Sequence, residues 1–142
     1  MFTVCEPCGF MGAYSSKIIN GTDLVPGEAP WQVAITGSES LPIGVGCGGS
    51  LINANWVLTA AHCVNGTEDI TERFAVLGMV SREIGGLAIR FESKVVHPDY
   101  APGVNYDFAL LKLSTGVNLP EHPNIRPLCW PTVSPTEGTS VS

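Results

Sequence analysis

Two residues have types and surroundings suited to proton transfer. His62 lies in Trp56-Val57-Leu58-Thr59-Ala60-Ala61-His62-Cys63-Val64. Its neighbours are small and apolar, so an imidazole there is expected to be partly desolvated and rigidly held, which suits a general base. Asp107 stands directly before the apolar run Phe108-Ala109-Leu110-Leu111. A carboxylate at the start of a buried strand needs hydrogen-bond donors, and an imidazole N–H is one. By itself His62 reads as a structural histidine at a strand end, and Asp107 as a turn cap. A carboxylate that accepts from an imidazole N–H would fix its tautomer and stabilise the imidazolium.

Cysteine adds a second set of reactive groups. There are five, at 5, 8, 47, 63 and 129, an odd number, so at least one has no disulfide partner within the chain. Cys5-Glu6-Pro7-Cys8 has the spacing of a zinc or redox pair. A structural zinc site needs two further ligands at matching spacing, and the sequence holds no second Cys or His pair. A redox motif should follow a strand and open a helix, whereas Gly9 continues a coil-like tail. Disulfides in an oxidising compartment are the simpler reading. The sequons Asn20-Gly21-Thr22 and Asn65-Gly66-Thr67 agree with it and mark Asn20 and Asn65 as candidate glycosylation sites.

The elements that must position these groups are short. The chain has 142 residues, of which 44% are apolar and 14% charged, with 16 Gly and 11 Pro. That composition disfavours coiled coils and helix bundles and suits many strands joined by turns. The net charge of -6, with no basic cluster, argues against a nucleic-acid surface. The apolar runs fall short of the roughly 20 residues that a membrane helix needs. Strands are expected at 32–36, 48–52, 56–59, 73–78, 87–96 and 108–113, separated by Gly, Pro and Asn turns. Such a series reads as an all-β sandwich or barrel. Residues 87–96 mix apolar and charged positions, as a half-exposed strand does. The continuous run 108–111 reads as a strand buried on both faces. Residues 60–64 suit one helical turn. Residues 1–17 are polar and aperiodic, and 132–142 are rich in Ser, Thr, Pro and Gly, like a linker.

Several segments, in this order, resemble the chymotrypsin/trypsin-like serine proteases. Ala60-Ala61-His62-Cys63 is similar to the histidine motif, and Asp107-Phe108-Ala109-Leu110-Leu111-Lys112-Leu113 to the aspartate motif. Lys17-Ile18-Ile19-Asn20-Gly21 looks like an activation junction. Pro30-Trp31-Gln32-Val33 resembles the first barrel strand, and Cys47-Gly48-Gly49-Ser50-Leu51-Ile52 the strand leading to the histidine. Ile125-Arg126-Pro127-Leu128-Cys129 resembles the exit from the first barrel.

The resemblance implies an all-β fold: the first antiparallel six-stranded barrel of a two-barrel protein, without its second barrel. It divides the chain into an activation tail at 1–17, the N-terminal part of the peptidase domain at 18–130 and an inter-barrel linker at 131–142. Cys47 would bridge to Cys63. Cys129 would bridge to Cys8 or Cys5, with Cys8 favoured. Cleavage between Lys17 and Ile18 would free an ammonium that orders the second barrel, a proteolytic switch. His62 would act as general base and acid, and Asp107 would orient it. His97 and His122 read as structural. The loop 98–104 would border the substrate.

The nucleophile of the family lies in a Gly-Asp-Ser-Gly-Gly-Pro segment, and these 142 residues contain none. The chain is therefore expected to be an N-terminal fragment of a serine endopeptidase that is inactive alone. The alternative is a non-catalytic homologue with a binding or regulatory role. No metal or cofactor is implied. The expected partners are protein or peptide substrates, an activating protease and protease inhibitors. The expected location is extracellular, with the secretion signal lying outside this chain, since residues 1–5 have neither its basic nor its apolar region.

Overall fold

The computed structural model describes residues 8–9, 27–37, 46–67, 69–79, 86–103 and 105–139. Six strands form, at Gln32–Thr36 (β1), Cys47–Leu51 (β2), Trp56–Thr59 (β3), Phe74–Leu77 (β4), Leu87–Val96 (β5) and Ala109–Leu113 (β6). Each falls within a residue or two of its expected position, because Gly, Pro and Asn punctuation sets the limits of short strands. Single 3-10 turns lie at Ala61–Cys63, Ile70–Glu72 and Leu119–Glu121. The first matches the helical turn expected at 60–64. The Ile70–Glu72 turn is capped by Asp69, whose carboxylate accepts from the Thr71 N–H.

Every strand pairing is antiparallel, and the order β1-β2-β3-β6-β5-β4 closes on itself through β1 and β4. Closure gives each of the described strands a hydrogen-bonded neighbour on both sides. The barrel turns its corner along β5. Phe74 to Leu77 of β4 pair with Arg90 back to Leu87, while Phe91 to Val96 pair with β6. A register shift between Phe91 and Ser93 marks the bend.

The core fills the barrel interior. Val33, Leu51, Val57, Leu77 and Leu111 have no exposed surface, and Phe91 has 1%. Two glycines admit close backbone approach. A Cβ on Gly49 would lie 2.9 Å from the Leu58 carbonyl oxygen, and one on Gly86 would lie 1.9 Å from the Leu77 carbonyl oxygen.

The run 108–111 departs from the two-faced burial expected of it. Ala109, Leu111 and Leu113 are buried, Leu110 and Lys112 are half-buried, and Phe108 is 45% exposed and precedes the strand. A barrel has one interior, so alternate residues of β6 must face outward however apolar they are. Val95, Tyr106, Trp130 and Val133 are also exposed large apolar residues.

Two disulfides fasten the structure. Cys47 on β2 bonds Cys63, and Cys8 bonds Cys129. Beside the second, the Gly9 N–H donates to the Pro127 carbonyl at 3.0 Å, so this part of the tail lies along the barrel exit. Cys5, Lys17, Ile18 and Asn20 lie outside the described residues. Residues 131–139 form exposed irregular chain.

Candidate active site

Strand pairing brings the two candidate residues together. β3 runs antiparallel to β6, and Thr59, the last residue of β3, stands opposite Ala109, the first of β6. The chain leaving β3 and the chain entering β6 therefore share one end of the barrel. His62 is three residues beyond Thr59, and Asp107 is two residues before Ala109.

The His62 turn is anchored from several sides. Ala61 is fully buried. The N–H groups of Val64 and Asn65 both donate to the Ala61 carbonyl, at 3.0 and 2.8 Å. Cys63 is tied to β2 by its disulfide. From β5, Lys94 Nζ donates to the carbonyls of Val64 at 2.8 Å and Thr67 at 2.5 Å. Lys94 is a part of the support that sequence patterning misses. It reads as one charged position on a half-exposed strand, and nothing local shows that its ammonium caps carbonyls some 27 to 30 residues earlier.

Asp107 holds His62 at two points. The His62 Nδ1–H donates to Asp107 Oδ2 at 2.6 Å, and the His62 backbone N–H donates to Oδ1 at 2.8 Å. These bonds keep the Asp107 carboxyl below its ordinary value of 3.8. The side-chain bond from His62 is the largest cause and the His62 backbone N–H the second, with desolvation opposing them. The carboxylate therefore stays charged at neutral pH. With Nδ1–H committed to Asp107, Nε2 of a neutral ring carries the lone pair and can accept a proton.

Burial corrects the sequence reading. The His62 side chain is 63% exposed and that of Asp107 45% exposed. In the 142-residue chain by itself the rim of the barrel is open to solvent, and the ring is held by its hydrogen bonds rather than by burial.

The sequence profile described as Trypsin matches residues 18–142. The chain belongs to the trypsin family. Vitamin K-dependent protein C from Mus musculus is 33% identical over 150 residues, covering 91% of this chain and 32% of that protein. The venom serine protease Bi-VSP from Bombus ignitus is 37% identical over 131 residues, covering 87% and 36%. Among solved structures, kallikrein-related peptidase 10 superposes with a TM-score of 0.63 at 32% identity, covering 81% of this chain and 50% of that one. The chain thus spans about a third of the length of these two sequence relatives.

The other candidates of this trypsin-family chain fall at separate places. Asn65 lies in an exposed turn just after the histidine turn. His97 stacks on Tyr106, next to Asp107. His122 lies in the connection after β6, where its carbonyl accepts from Arg126 Nη1 at 3.1 Å. Cys47, Cys63 and His62 bring two sulfurs and a ring nitrogen within 4.8 Å of one another. The sulfurs are bonded to each other, so they offer no thiolate, and this donor set does not fit a metal ion. No helix among the described residues is long and apolar enough to cross a membrane.

Proposed function

We propose that this chain supplies the base and its orienting carboxylate to a secreted serine endopeptidase. The observation that carries the reading is the two-point hold of Asp107 on His62, at 2.6 and 2.8 Å, in a trypsin-family barrel. A serine hydroxyl from a second barrel attacks the scissile carbonyl. His62 Nε2 takes the hydroxyl proton and returns it to the leaving amine, and Asp107 stabilises the imidazolium in between. Water then releases the acyl group by the same route. Retention of both residues in hydrogen-bonding geometry favours this reading over a binding homologue.

The remaining assignments follow from the family. Cleavage after Lys17 activates a zymogen by freeing the Ile18 ammonium. Substrates are proteins or peptides, and an activating protease and protein inhibitors are the natural partners. The two disulfides support an oxidising, extracellular setting.

The 142 residues contain no serine in a Gly-Asp-Ser-Gly-Gly-Pro context, so this polypeptide alone is inactive. The test is to read the coding sequence past codon 142 and express the product. The expected result is a downstream serine in that context and turnover of a peptide ester that His62→Ala lowers by on the order of 10⁶-fold. A replaced serine with no turnover would make the protein a binding homologue. Turnover by residues 1–142 alone, lost in His62→Ala, would overturn the assignment of the nucleophile to a second barrel.

A further inference from the structure

The residues on either side of Asp107 are both aromatic, and both pack on one imidazole. The Tyr106 ring stacks on His97 with centroids 4.5 Å apart and planes 8° from parallel. Phe108 meets the same ring edge-on, at 4.8 Å and 69°. His97 is itself held in place. Its Nδ1 accepts from the Asp99 N–H at 3.1 Å, its backbone N–H donates to the Phe108 carbonyl at 3.3 Å, and its carbonyl accepts from the Tyr100 N–H at 3.0 Å. Because Nδ1 is an acceptor here, a neutral His97 carries its proton on Nε2.

The backbone at this point is unusual. Tyr106 has φ 57°, and among the described residues it is the one non-glycine at positive φ. The Phe108 N–H donates back to the Tyr106 carbonyl at 2.8 Å, closing a tight turn about Asp107. A tyrosine has no intrinsic preference for the left-handed region. The stack on His97 supplies the compensating contact.

We propose that His97 is a positioning residue whose ring clamps Tyr106 and Phe108, and so fixes the turn from which Asp107 holds His62. It acts through these two neighbours and takes no proton in the reaction. The inference rests on the reading of His62 and Asp107 as base and orienting group.

The test is NMR on the isotopically labelled 142-residue chain, with two readouts. One is the tautomer of His62, from long-range proton–nitrogen correlations. The other is the titration midpoint of the Asp107 carboxyl, which His62 holds below 3.8. The unmodified chain is expected to show the Nδ1–H tautomer and the lowered midpoint. His97→Ala is expected to scramble the tautomer and raise the midpoint, while the amide resonances of β1 and β4 stay in place. His97→Phe, which keeps a ring between Tyr106 and Phe108, is expected to retain both signatures. A merely structural His97 would lower the melting temperature without moving either one. A folded His97→Ala chain with unmodified signatures overturns the clamp. Should His97→Ala unfold, Tyr106→Gly decides, because it accepts the same backbone but removes the stack. Loss of the Nδ1–H tautomer then supports the clamp, and its retention overturns it. Asp107→Ala separates the two levels. If it leaves the His62 tautomer unchanged, or if the unmodified chain lacks the Nδ1–H form, the pairing itself fails and the clamp falls with it.

Discussion

At the residue scale, the site depends on one carboxylate making two hydrogen bonds to one histidine. A single bond would fix the distance but leave the ring free to swing. The second, from the His62 backbone, ties the carboxylate to the turn that carries the ring. Both bonds lower the Asp107 pKa in the folded state, which sets the sign of its linkage to stability. Its contribution is fully present above the unfolded value, near 3.8, and is lost as pH falls through the lower folded value. Asp69, lowered by its bonds to Thr71, contributes with the same sign. Asp107→Asn is therefore expected to lower the urea midpoint at pH 7 and to leave it nearly unchanged at the acid end. Urea melts of the two chains at neutral pH and near pH 2.5, about a unit below the ordinary carboxylate value, check this. An equal deficit at both would contradict the assigned sign. Both groups are exposed, so the effect is small and shrinks with salt.

At the element scale, the site is a consequence of β3 pairing with β6. Displacing either strand moves its end residue away from the other. Leu111, opposite Val57 and fully buried, is the middle of that pairing. Leu111→Ala is expected to cost about 2–5 kcal/mol, measured as a shift in denaturant midpoint. Gly86 tests close approach. A Cβ there would lie 1.9 Å from backbone oxygen, so Gly86→Ala is expected to destabilise by about 1–3 kcal/mol or more through overpacking. The Cys47–Cys63 bridge closes a short loop, with a sequence separation of 16. The paired change Cys47→Ala with Cys63→Ala is expected to cost about 3 kcal/mol. Because Cys63 follows His62 directly, faster hydrogen exchange at Val64 and Asn65, whose N–H groups close the turn, should accompany that loss. Unchanged exchange there would mean that Lys94 and the buried Ala61 suffice to hold the turn.

At the scale of the whole molecule, the second disulfide joins the chain's extremes. Cys8 and Cys129 are 121 residues apart in sequence. If cleavage occurs between Lys17 and Ile18, as proposed, the tail stays attached through this bond. The expected outcome of limited digestion by a lysine-directed protease is a nicked species of unchanged mass apart from one added water. On reduction it should release the peptide 1–17. Mass spectrometry with and without reductant reads both. Release of the tail without reductant would contradict the Cys8–Cys129 link, and resistance of Lys17 in the intact chain would count against an activation junction.

Much of this architecture was legible in the sequence, because short-strand limits are local chemistry. Gly85-Gly86, Asn53-Ala54-Asn55 and Pro98-Asp99 interrupt apolar runs, and no long-range information is needed to read them. The types and contexts of His62 and Asp107, and the family motifs around them, were likewise readable along the chain. What only the tertiary structure decided depends on contacts between distant segments. Residue order cannot tell which face of β6 turns inward, so Phe108 and Leu110 read as core until closure of the barrel turned them outward. Nor does it show that Lys94 caps the histidine turn, that Tyr106 adopts φ 57° against His97, or that the paired side chains sit open to solvent. Local sequence sets where strands begin and end. The identity of a side chain's neighbours is settled when the antiparallel register brings the ends of β3 and β6 together.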